Sequence, residues 1–460
     1  MKYSNILTSI ILLTVTGFTL LAQQPDSTYN KACYYYDNEE YTLAIPLYSE
    51  FLKSIHGDFN SLFYRGNCYM ETGQTKLAIK DLKEAYSLKN NDSKLLYSLG
   101  IAYDMAMIPD SAIYFFKVFV NLEPKQSAGY ARLSILFMNF HPEWADSAIF
   151  YAGKAVNAEP ENPMNFNFLA LAYYSKNEFQ TALESALRGL AIDSSISELN
   201  RIAGISSFFL KEYDKAIEFF DRAYIANPED LSLMDFKIQS ILVQNTQEEK
   251  INIPVNGKIS FTGISSENIK KLKSNCKPGE LYSYTQLVTK LNSEPLKFSL
   301  DEFFMLYLGA TFQEGYSPFK KPLPDKNPVN DPLKKIIDTE QLLLLNPTDF
   351  PLYLSLADMY LSLGEEGKYL ENRYKYIGFI ESIKATGNGV SPATAFIICD
   401  AGHEIEIMAA LGYEFKNQSL VKEKGHTFHR TTGTDEYYNE VMLYFNIDQL
   451  VSFLPKKGKQ

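Results

Sequence analysis

The residues best suited to acid–base chemistry lie close together in the last quarter of the chain. Asp400 is followed by His403, Glu404 and Glu406. On a helix, His403 and Glu406 would be neighbours, and an imidazole beside a carboxylate is a common general base. A base also needs a positioned partner and a pocket, and the sequence shows neither. We therefore predict that the chain is not an enzyme and has no catalytic residues, with catalysis at this cluster as the alternative.

A second histidine pattern, His426-x-x-His429, invites a metal interpretation. On a strand, however, residues three apart face opposite sides of the sheet, so these two side chains cannot share one ion. We interpret them as surface histidines. The segment Gly387-Asn388-Gly389 is predicted to be a turn and not a phosphate loop, because no Lys-Ser/Thr follows it. The sequence predicts no metal site and no cofactor.

Composition describes an acidic, globular chain of 460 residues with a net charge of −11. Binding to nucleic acid requires clustered Lys and Arg, so we predict no nucleic-acid partner. Residues 1–22 place Lys2 ahead of an apolar run that ends at the small residue Ala22. This pattern predicts a cleaved signal peptide, with an uncleaved N-terminal anchor as the alternative. The mature chain is expected to have no transmembrane segment and to be exported.

Four cysteines are spaced widely and form no CxxC pair. An oxidising compartment would permit disulfides, but we interpret these residues as free, buried thiols. They are Cys33, Cys68, Cys276 and Cys399.

A repeat determines the expected fold of the first half. An Ala followed by Ile or Leu recurs at steps of 34, 34, 36, 34 and 34 residues. These alanines are Ala44, Ala78, Ala112, Ala148, Ala182 and Ala216. A small residue precedes each of them, for example Gly66, Gly100 and Gly204, and an aromatic residue follows that small residue in most copies. A period near 34 is typical of stacked helix-turn-helix units, in which small residues let two helices approach closely.

This pattern resembles the tetratricopeptide repeat family over residues 25–229. The resemblance implies a mostly α fold in which six repeats form an α-solenoid, and residues 230–246 are predicted to form a capping helix. By analogy with the family, the first helix of each repeat (helix A) lines a concave groove. The positions expected to bind a partner there are Tyr29, Tyr36, Phe63, Met70, Tyr97, Ile101, Ile135, Met138, Leu171, Tyr174, Ile205 and Phe208.

The predicted groove is aromatic and aliphatic and lacks the Lys/Asn/Arg clamp by which some family members hold a C-terminal carboxylate. We therefore expect the partner to be a protein or peptide with an apolar segment. Two alternatives remain at this point. The chain's own C-terminal half fills the groove, or the same side chains pack between neighbouring A helices.

Residues 250–460 are predicted to form a C-terminal α+β domain with a small antiparallel sheet. Ser299-x-x-Glu302 is a capping box ahead of an apolar helix, and Asp331-Pro332 is typical of a helix start. Residues 419–431 and 441–447 are predicted to be strands.

This second half resembles a bacterial family of exported proteins known only as a domain of unknown function. The residues that carry the resemblance are Tyr307-x-Gly309, Tyr316, Gly387-Asn388-Gly389-x-Ser391, Thr394-Ala395-Phe396 and Leu443-Tyr444-Phe445-Asn446-Ile447. It implies a fold and no chemistry. The sequence thus favours a protein–protein interaction scaffold in the periplasm or at the surface of a bacterium. The alternative is an envelope enzyme whose repeats recruit substrate.

Overall fold

The computed structural model describes residues 28–248, 266–318 and 331–453, so the predicted signal peptide lies outside the described residues. The chain divides into two compact units, residues 1–176 and 177–460. The described part of the first unit is helical throughout apart from its turns. Its helices are α1 (Thr28–Asp37), α2 (Tyr41–Ser54), α3 (Phe59–Glu71), α4 (Thr75–Leu88), α5 (Ser93–Met105), α6 (Pro109–Leu122), α7 (Ser127–Phe140), α8 (Ala145–Ala158) and α9 (Pro163–Ser175).

Small residues on the A helices allow the paired helices to pack closely, as the sequence predicts. A Cβ added at Gly66 on α3 would lie 2.8 Å from the Leu82 side chain on α4. At Gly100 on α5 it would lie 2.7 Å from the Phe116 ring on α6. Each glycine therefore leaves the space that one large side chain of the partner helix fills.

The ends of these helices are defined by short-range hydrogen bonds. Three A helices begin with an Asp or Asn whose side chain accepts from a backbone N–H of the first turn, namely Asp58, Asp92 and Asn162. The turns of the first three helix pairs each contain a residue with positive φ, namely Glu39, Gly73 and Met107. The turn between α7 and α8 is instead the short 3-10 helix Pro142–Trp144. The same turn geometry thus recurs in the first three repeats but not in the fourth.

The second unit begins with further repeat helices and continues into the C-terminal domain. Its helices are α10 (Phe179–Leu190), α11 (Ser197–Phe209), α12 (Tyr213–Ala226), α13 (Ser232–Glu248), α14 (Ser266–Asn275), α15 (Tyr284–Ser293), α16 (Leu300–Ala310), α17 (Pro332–Leu345), α18 (Pro351–Ser362), α19 (Glu366–Lys384), α20 (His403–Ala410) and α21 (Asp448–Ser452). The Gly204 position on α11 repeats the pattern of the first unit, since an added Cβ would lie 2.7 Å from Phe220.

Helix α13, which covers the predicted capping segment, contacts α12 and also α16 and α19. Arg373 on α19 donates to both carboxylate oxygens of Asp235 on α13, at 2.8 and 2.7 Å. Asn245 donates to the backbone oxygen of Leu296 at 2.9 Å. Helix α13 therefore packs on the last repeat helix and on the C-terminal helices at the same time.

The most deeply buried helix of the C-terminal domain is α16, in which residues 301–310 are all buried. Its predicted capping box is confirmed, because Ser299 and Glu302 cap each other's backbone N–H groups. On α19, a Cβ added at Gly378 would overlap the Phe303 ring, so a glycine lets the two helices meet closely. The predicted helix start at Asp331 is also confirmed, since its side chain accepts from Leu333 N.

Four strands form one sheet in the order β1-β4-β3-β2. They are β1 (Phe396–Ile397), β2 (Glu414–Glu423), β3 (His426–Thr434) and β4 (Glu440–Asn446). Strands β2, β3 and β4 are antiparallel, as predicted, whereas β1 pairs in parallel with β4. The sheet is therefore mixed.

The prediction of one strand over residues 419–431 is wrong. The chain reverses at Lys424 and Gly425, which have positive φ values of 49° and 86°, so the segment contributes to two strands, β2 and β3. Gly425 is the only Gly, Pro, Asn or Asp in residues 419–431, so the two-residue turn has a single turn signal in the sequence.

All four cysteines are unpaired, and three of them are buried, while Cys33 is half-buried. The interpretation as free thiols is therefore confirmed, with Cys33 less buried than expected. Among the helices that the structure describes, none has the length and apolar character needed to cross a membrane.

Candidate functional site

The predicted groove residues lie on the A helices, and none of them is fully exposed. In the first unit, Phe63 and Met70 are buried and the other members are half-buried. These half-buried residues are Tyr29, Tyr36, Tyr97, Ile101, Ile135, Met138, Leu171 and Tyr174. In the second unit, Ile205 on α11 is buried and Phe208 is half-buried.

Several groove aromatics already contact neighbouring rings. The ring centroid of Tyr36 on α1 lies 4.9 Å from that of Tyr64 on α3, so neighbouring A helices do share some of this surface. Tyr97 on α5 lies 5.1 Å from Phe119 and 5.5 Å from Phe116, both on α6. These contacts cover part of each ring. Because Tyr36 and Tyr97 are half-buried, the rest of each side chain is accessible to a partner.

Two asparagines on the same A helices as the groove residues are buried without full hydrogen bonding. Asn67 on α3 and Asn167 on α9 are 8% and 4% exposed. Within the described part of the chain, the Oδ1 atom of each has no hydrogen-bond partner. A buried acceptor without a donor costs about 1–3 kcal/mol, so each amide lowers the stability of the free protein.

In the C-terminal domain, the Tyr307 hydroxyl is the centre of a buried polar network. It accepts from the backbone N–H groups of Cys399 and Asp400, at 2.9 and 3.2 Å. Its oxygen also lies 2.9 Å from His403 Nδ1. Because the two N–H groups donate to the hydroxyl, its proton goes to Nδ1, which must then accept. Burial lowers the pKa of His403 to about 3, which keeps the ring neutral.

Asp400 lies at the edge of this network. Burial, with a further contribution from Asp349, raises its pKa to about 7. The Tyr316 hydroxyl donates to the backbone oxygen of Cys399 at 2.9 Å and lies 3.4 Å from Asp400 Oδ2. Tyr307 and Tyr316, which carry part of the sequence resemblance, therefore hold the same short segment in place.

The Gly387-Asn388-Gly389 segment also has a structural role, because it positions the backbone just before β1. The backbone N–H groups of Asn388 and Gly389 both donate to the Thr394 oxygen, at 3.0 and 2.8 Å. A Cβ at Gly387 would overlap that oxygen, and Gly389 has a φ of 70°. The turn prediction is confirmed, and these glycines bring the chain into β1.

Glu404 and His429 form a pair that sequence reasoning missed. His429 Nδ1 lies 2.7 Å from Glu404 Oε1, and Gly402 N donates to Glu404 Oε2 at 3.1 Å. The Glu404 side chain is only 3% exposed and that of His429 is 22% exposed. A buried carboxylate thus fixes the imidazole orientation and occupies one of its two ring nitrogens.

The predicted pairing of His403 with Glu406 does not occur. His403 bonds to Tyr307, whereas Glu406 lies 3.4 Å from the Tyr376 hydroxyl. The two strand histidines have different partners, as expected for residues on opposite faces, because His426 lies 2.6 Å from Asp448. Both histidines are half-buried, and each is held by a carboxylate.

Glu404 and His429 also line a cavity of about 490 Å³ between α20, the β2–β3 hairpin and α21. A positioned imidazole and a pocket are two requirements of the enzyme hypothesis that the sequence did not show, and both are present here. Nothing in the sequence links Glu404 on a helix with His429 on a strand, since their contact arises only when α20 packs on the sheet.

Family models match both halves of the chain. Residues 267–454 match a Domain of unknown function (DUF4919), and residues 29–93 match a Tetratricopeptide repeat model. Residues 144–223 match a model named Anaphase-promoting complex, cyclosome, subunit 3.

Curated relatives share only a short segment with this chain. DnaJ homolog subfamily C member 3 of Gallus gallus is 35% identical over 75 residues, which are 16% of this chain and 15% of that protein. The same protein of Rattus norvegicus is 34% identical over 68 residues, or 15% of this chain and 14% of that protein. The chain therefore spans about one-seventh of the length of the curated relatives it matches.

Solved structures with similarity include the C-terminal part of a TPR repeat-containing protein from Cytophaga hutchinsonii. It is 18% identical, covers 47% of this chain and 86% of that one, and has a TM-score of 0.42. YrrB, described as a TPR protein with an unusual peptide-binding site, is 15% identical, covers 41% of this chain and 97% of that one, and has a TM-score of 0.35.

The repeat matches of the family models make a protein-interaction scaffold the class of function that the first half supports. No activity is assigned to the domain of the second half. The chain therefore carries tetratricopeptide repeats followed by a C-terminal domain of the DUF4919 family.

Proposed function

We propose that the protein is exported and that its repeats hold a partner protein through the face formed by the A helices. The partner presents an apolar segment whose backbone lies along this face. Half-buried side chains such as Tyr97, Met138 and Tyr174 supply apolar area, which a bound segment would bury.

One observation carries the proposal, namely the two buried acceptors on the A helices. The Oδ1 atoms of Asn67 and Asn167 have no donor among the described residues. Both atoms are covered in the free protein, so the proposal requires that partner binding shifts the side chains over them. An extended peptide offers a backbone N–H at every residue other than proline, so it then matches these acceptors whatever its sequence. We assign specificity to the apolar side chains and backbone recognition to the two amides.

The first test replaces Tyr97, Met138 and Tyr174 together by Asp. The matched control replaces Leu43, Tyr114 and Phe150 by Asp. These residues are 48%, 55% and 56% exposed on α2, α6 and α8. Proteins captured from the native cell envelope by the full mature chain are compared quantitatively. We expect specific partners to be lost from the groove variant only. Equal capture by both variants, with melting temperatures near that of the wild type, would show that the groove is not used.

The second test distinguishes a binding role from a structural one. Replacing Asn167 by Leu removes the unpaired acceptor and keeps a similar volume. The free protein is then expected to be unchanged or more stable, while its affinity for a partner identified above falls by roughly tenfold, as for the loss of one good hydrogen bond. Unchanged affinity would remove the backbone-recognition part of the proposal.

Export is tested on the native protein by N-terminal sequencing after cell fractionation. Cleavage after Ala22 would leave Gln23 as the first residue. An intact Met1 in the cytoplasmic fraction would contradict export.

A further inference from the structure

The cavity beside Glu404 and His429 has a mostly apolar lining. Its apolar side chains come from α20, from β2, from α21 and from the residue before α21. They are Ile405, Phe415, Leu420, Ile447, Leu450 and Val451. A volume of about 490 Å³ is large enough for a small organic molecule.

Two of these apolar residues are unusually exposed for their type. Leu420 on the edge strand β2 is 59% exposed, and Ile405 on α20 is 48% exposed. Both lie at the same cavity, so the described chain leaves a continuous apolar surface uncovered there. Covering that surface by an apolar chain would be favourable, because it removes apolar area from water.

The charges around the cavity are unequal. Lys416 and Lys422 line it, and the only acidic residue among the described lining residues is Glu404. Both oxygens of Glu404 are already occupied, by His429 Nδ1 and by Gly402 N. Lys416 is paired with Glu414 at 2.8 Å, whereas Lys422 has no ion pair in the part of the chain that the structure describes. The cavity therefore offers an unpaired cation to a ligand.

The strand register places the polar groups together. Leu420 lies opposite His429, and Lys422 lies opposite Thr427, so Lys422 and His429 are diagonal neighbours on one face of the hairpin. Glu404 holds Nδ1 of His429 and so fixes the ring beside Lys422.

We propose that this cavity binds a single-chain amphipathic carboxylate, such as a medium-chain fatty acid. The hydrocarbon chain lies against the apolar lining and covers Leu420 and Ile405. The carboxylate lies beside Lys422, the cation of the lining that has no ion pair among the described residues. This small-molecule site is separate from the repeat groove and does not depend on the partner proposed for it.

The test is isothermal titration calorimetry on the full mature chain with sodium dodecanoate below its micelle concentration. Dodecyltrimethylammonium chloride has the same chain with a cationic head, and sodium butanoate has the same head with a short chain. We expect saturable binding of dodecanoate at one site, at least roughly tenfold weaker binding of the cationic amphiphile, and no measurable binding of butanoate. Absence of dodecanoate binding, or equal binding of the cationic amphiphile, overturns the proposal.

Two exposed positions give variants that are expected to fold. Lys422→Glu reverses the charge beside the carboxylate, and Leu420→Glu places a charge on the apolar lining. The matched control is Lys424→Glu, which makes the same charge change at a position that is 86% exposed and outside the cavity lining. We expect both cavity variants to weaken dodecanoate binding by roughly tenfold or more, and the control to bind like the wild type. If Lys422→Glu and Lys424→Glu bind dodecanoate equally well, the assigned head-group position is wrong.

Discussion

The first unit and the C-terminal domain are stabilised by different kinds of contact. In the first unit, the same contact recurs between adjacent helices, for example Gly66 with Leu82 and Gly100 with Phe116. In the C-terminal domain, a single hydroxyl on Tyr307 joins groups more than ninety positions later in the chain, at His403 and Cys399. A repeated local contact can be lost at one place while its copies persist, whereas a unique long-range network has no copy. The comparison predicts local effects in the repeats and domain-wide effects at the network.

The largest effect is expected for Tyr307→Phe. The substitution leaves His403 Nδ1 and the N–H groups of Cys399 and Asp400 without their present partner. Since each unsatisfied buried group costs about 1–3 kcal/mol, we expect a loss of about 4 kcal/mol in the free energy of unfolding. Urea unfolding followed by circular dichroism and hydrogen exchange of α16 and α20 would measure it.

The control for this variant is Tyr444→Phe, which removes a hydroxyl from a half-buried tyrosine on β4. Its expected effect is within about 0.5 kcal/mol. Similar losses for the two variants would mean that the Tyr307 network has no special role in the stability of the domain.

An intermediate effect, visible as a pH dependence, is expected for Asp400→Asn. The folded-state pKa of Asp400 is raised to about 7, well above its ordinary value. Its contribution to stability is therefore full below about pH 4 and is lost as the pH rises through 7. The free energy of unfolding of the variant, relative to that of the wild type, should therefore be about 2 kcal/mol higher at pH 8 than at pH 5.

His403 acts in the opposite direction over part of this range. Its folded-state pKa is lowered to about 3, so its contribution is full above about pH 6.5 and is lost as the pH falls. The stability of Asp400→Asn should consequently rise from pH 5 to about pH 7. Over the same range the stability of the wild type should change less, because the two groups act in opposite directions. If the difference in stability between the variant and the wild type does not change with pH, the charged form of Asp400 does not destabilise the fold and the raised pKa is wrong.

The smallest effect is expected in the repeats. A Cβ at Gly100 would lie 2.7 Å from the fully buried Phe116 ring, so Gly100→Ala must displace that ring. We expect a loss of about 1–2 kcal/mol, with faster hydrogen exchange confined to α5, α6 and their neighbouring helices. Gly153→Ala on α8 is the control, because its Cβ would meet open space and alanine favours a helix by up to about 1 kcal/mol. Exchange that spreads evenly through the unit would refute the local nature of the repeat contacts.

The two regions also differ in how far the sequence predicted them. The repeat was predictable because each copy carries its own small residue and turn, and most copies carry the aromatic residue. In the C-terminal domain, helix starts such as Ser299 and Asp331 were predictable, since their signals lie within four residues. The β2–β3 turn and the parallel pairing of β1 were not, because strand partners are chosen by packing and not by local pattern.

The sequence alone therefore determined the repeat architecture, the helix caps and the acidic, globular character of the chain. These properties depend on periodicity and on residues close together along the chain. Only the tertiary structure decided that His403 is a buried neutral ring on Tyr307, that Glu404 holds His429, and that this pair lines a cavity. Those contacts join a helix to another helix or to a sheet, and side chains that are distant in the sequence become partners only when such elements pack.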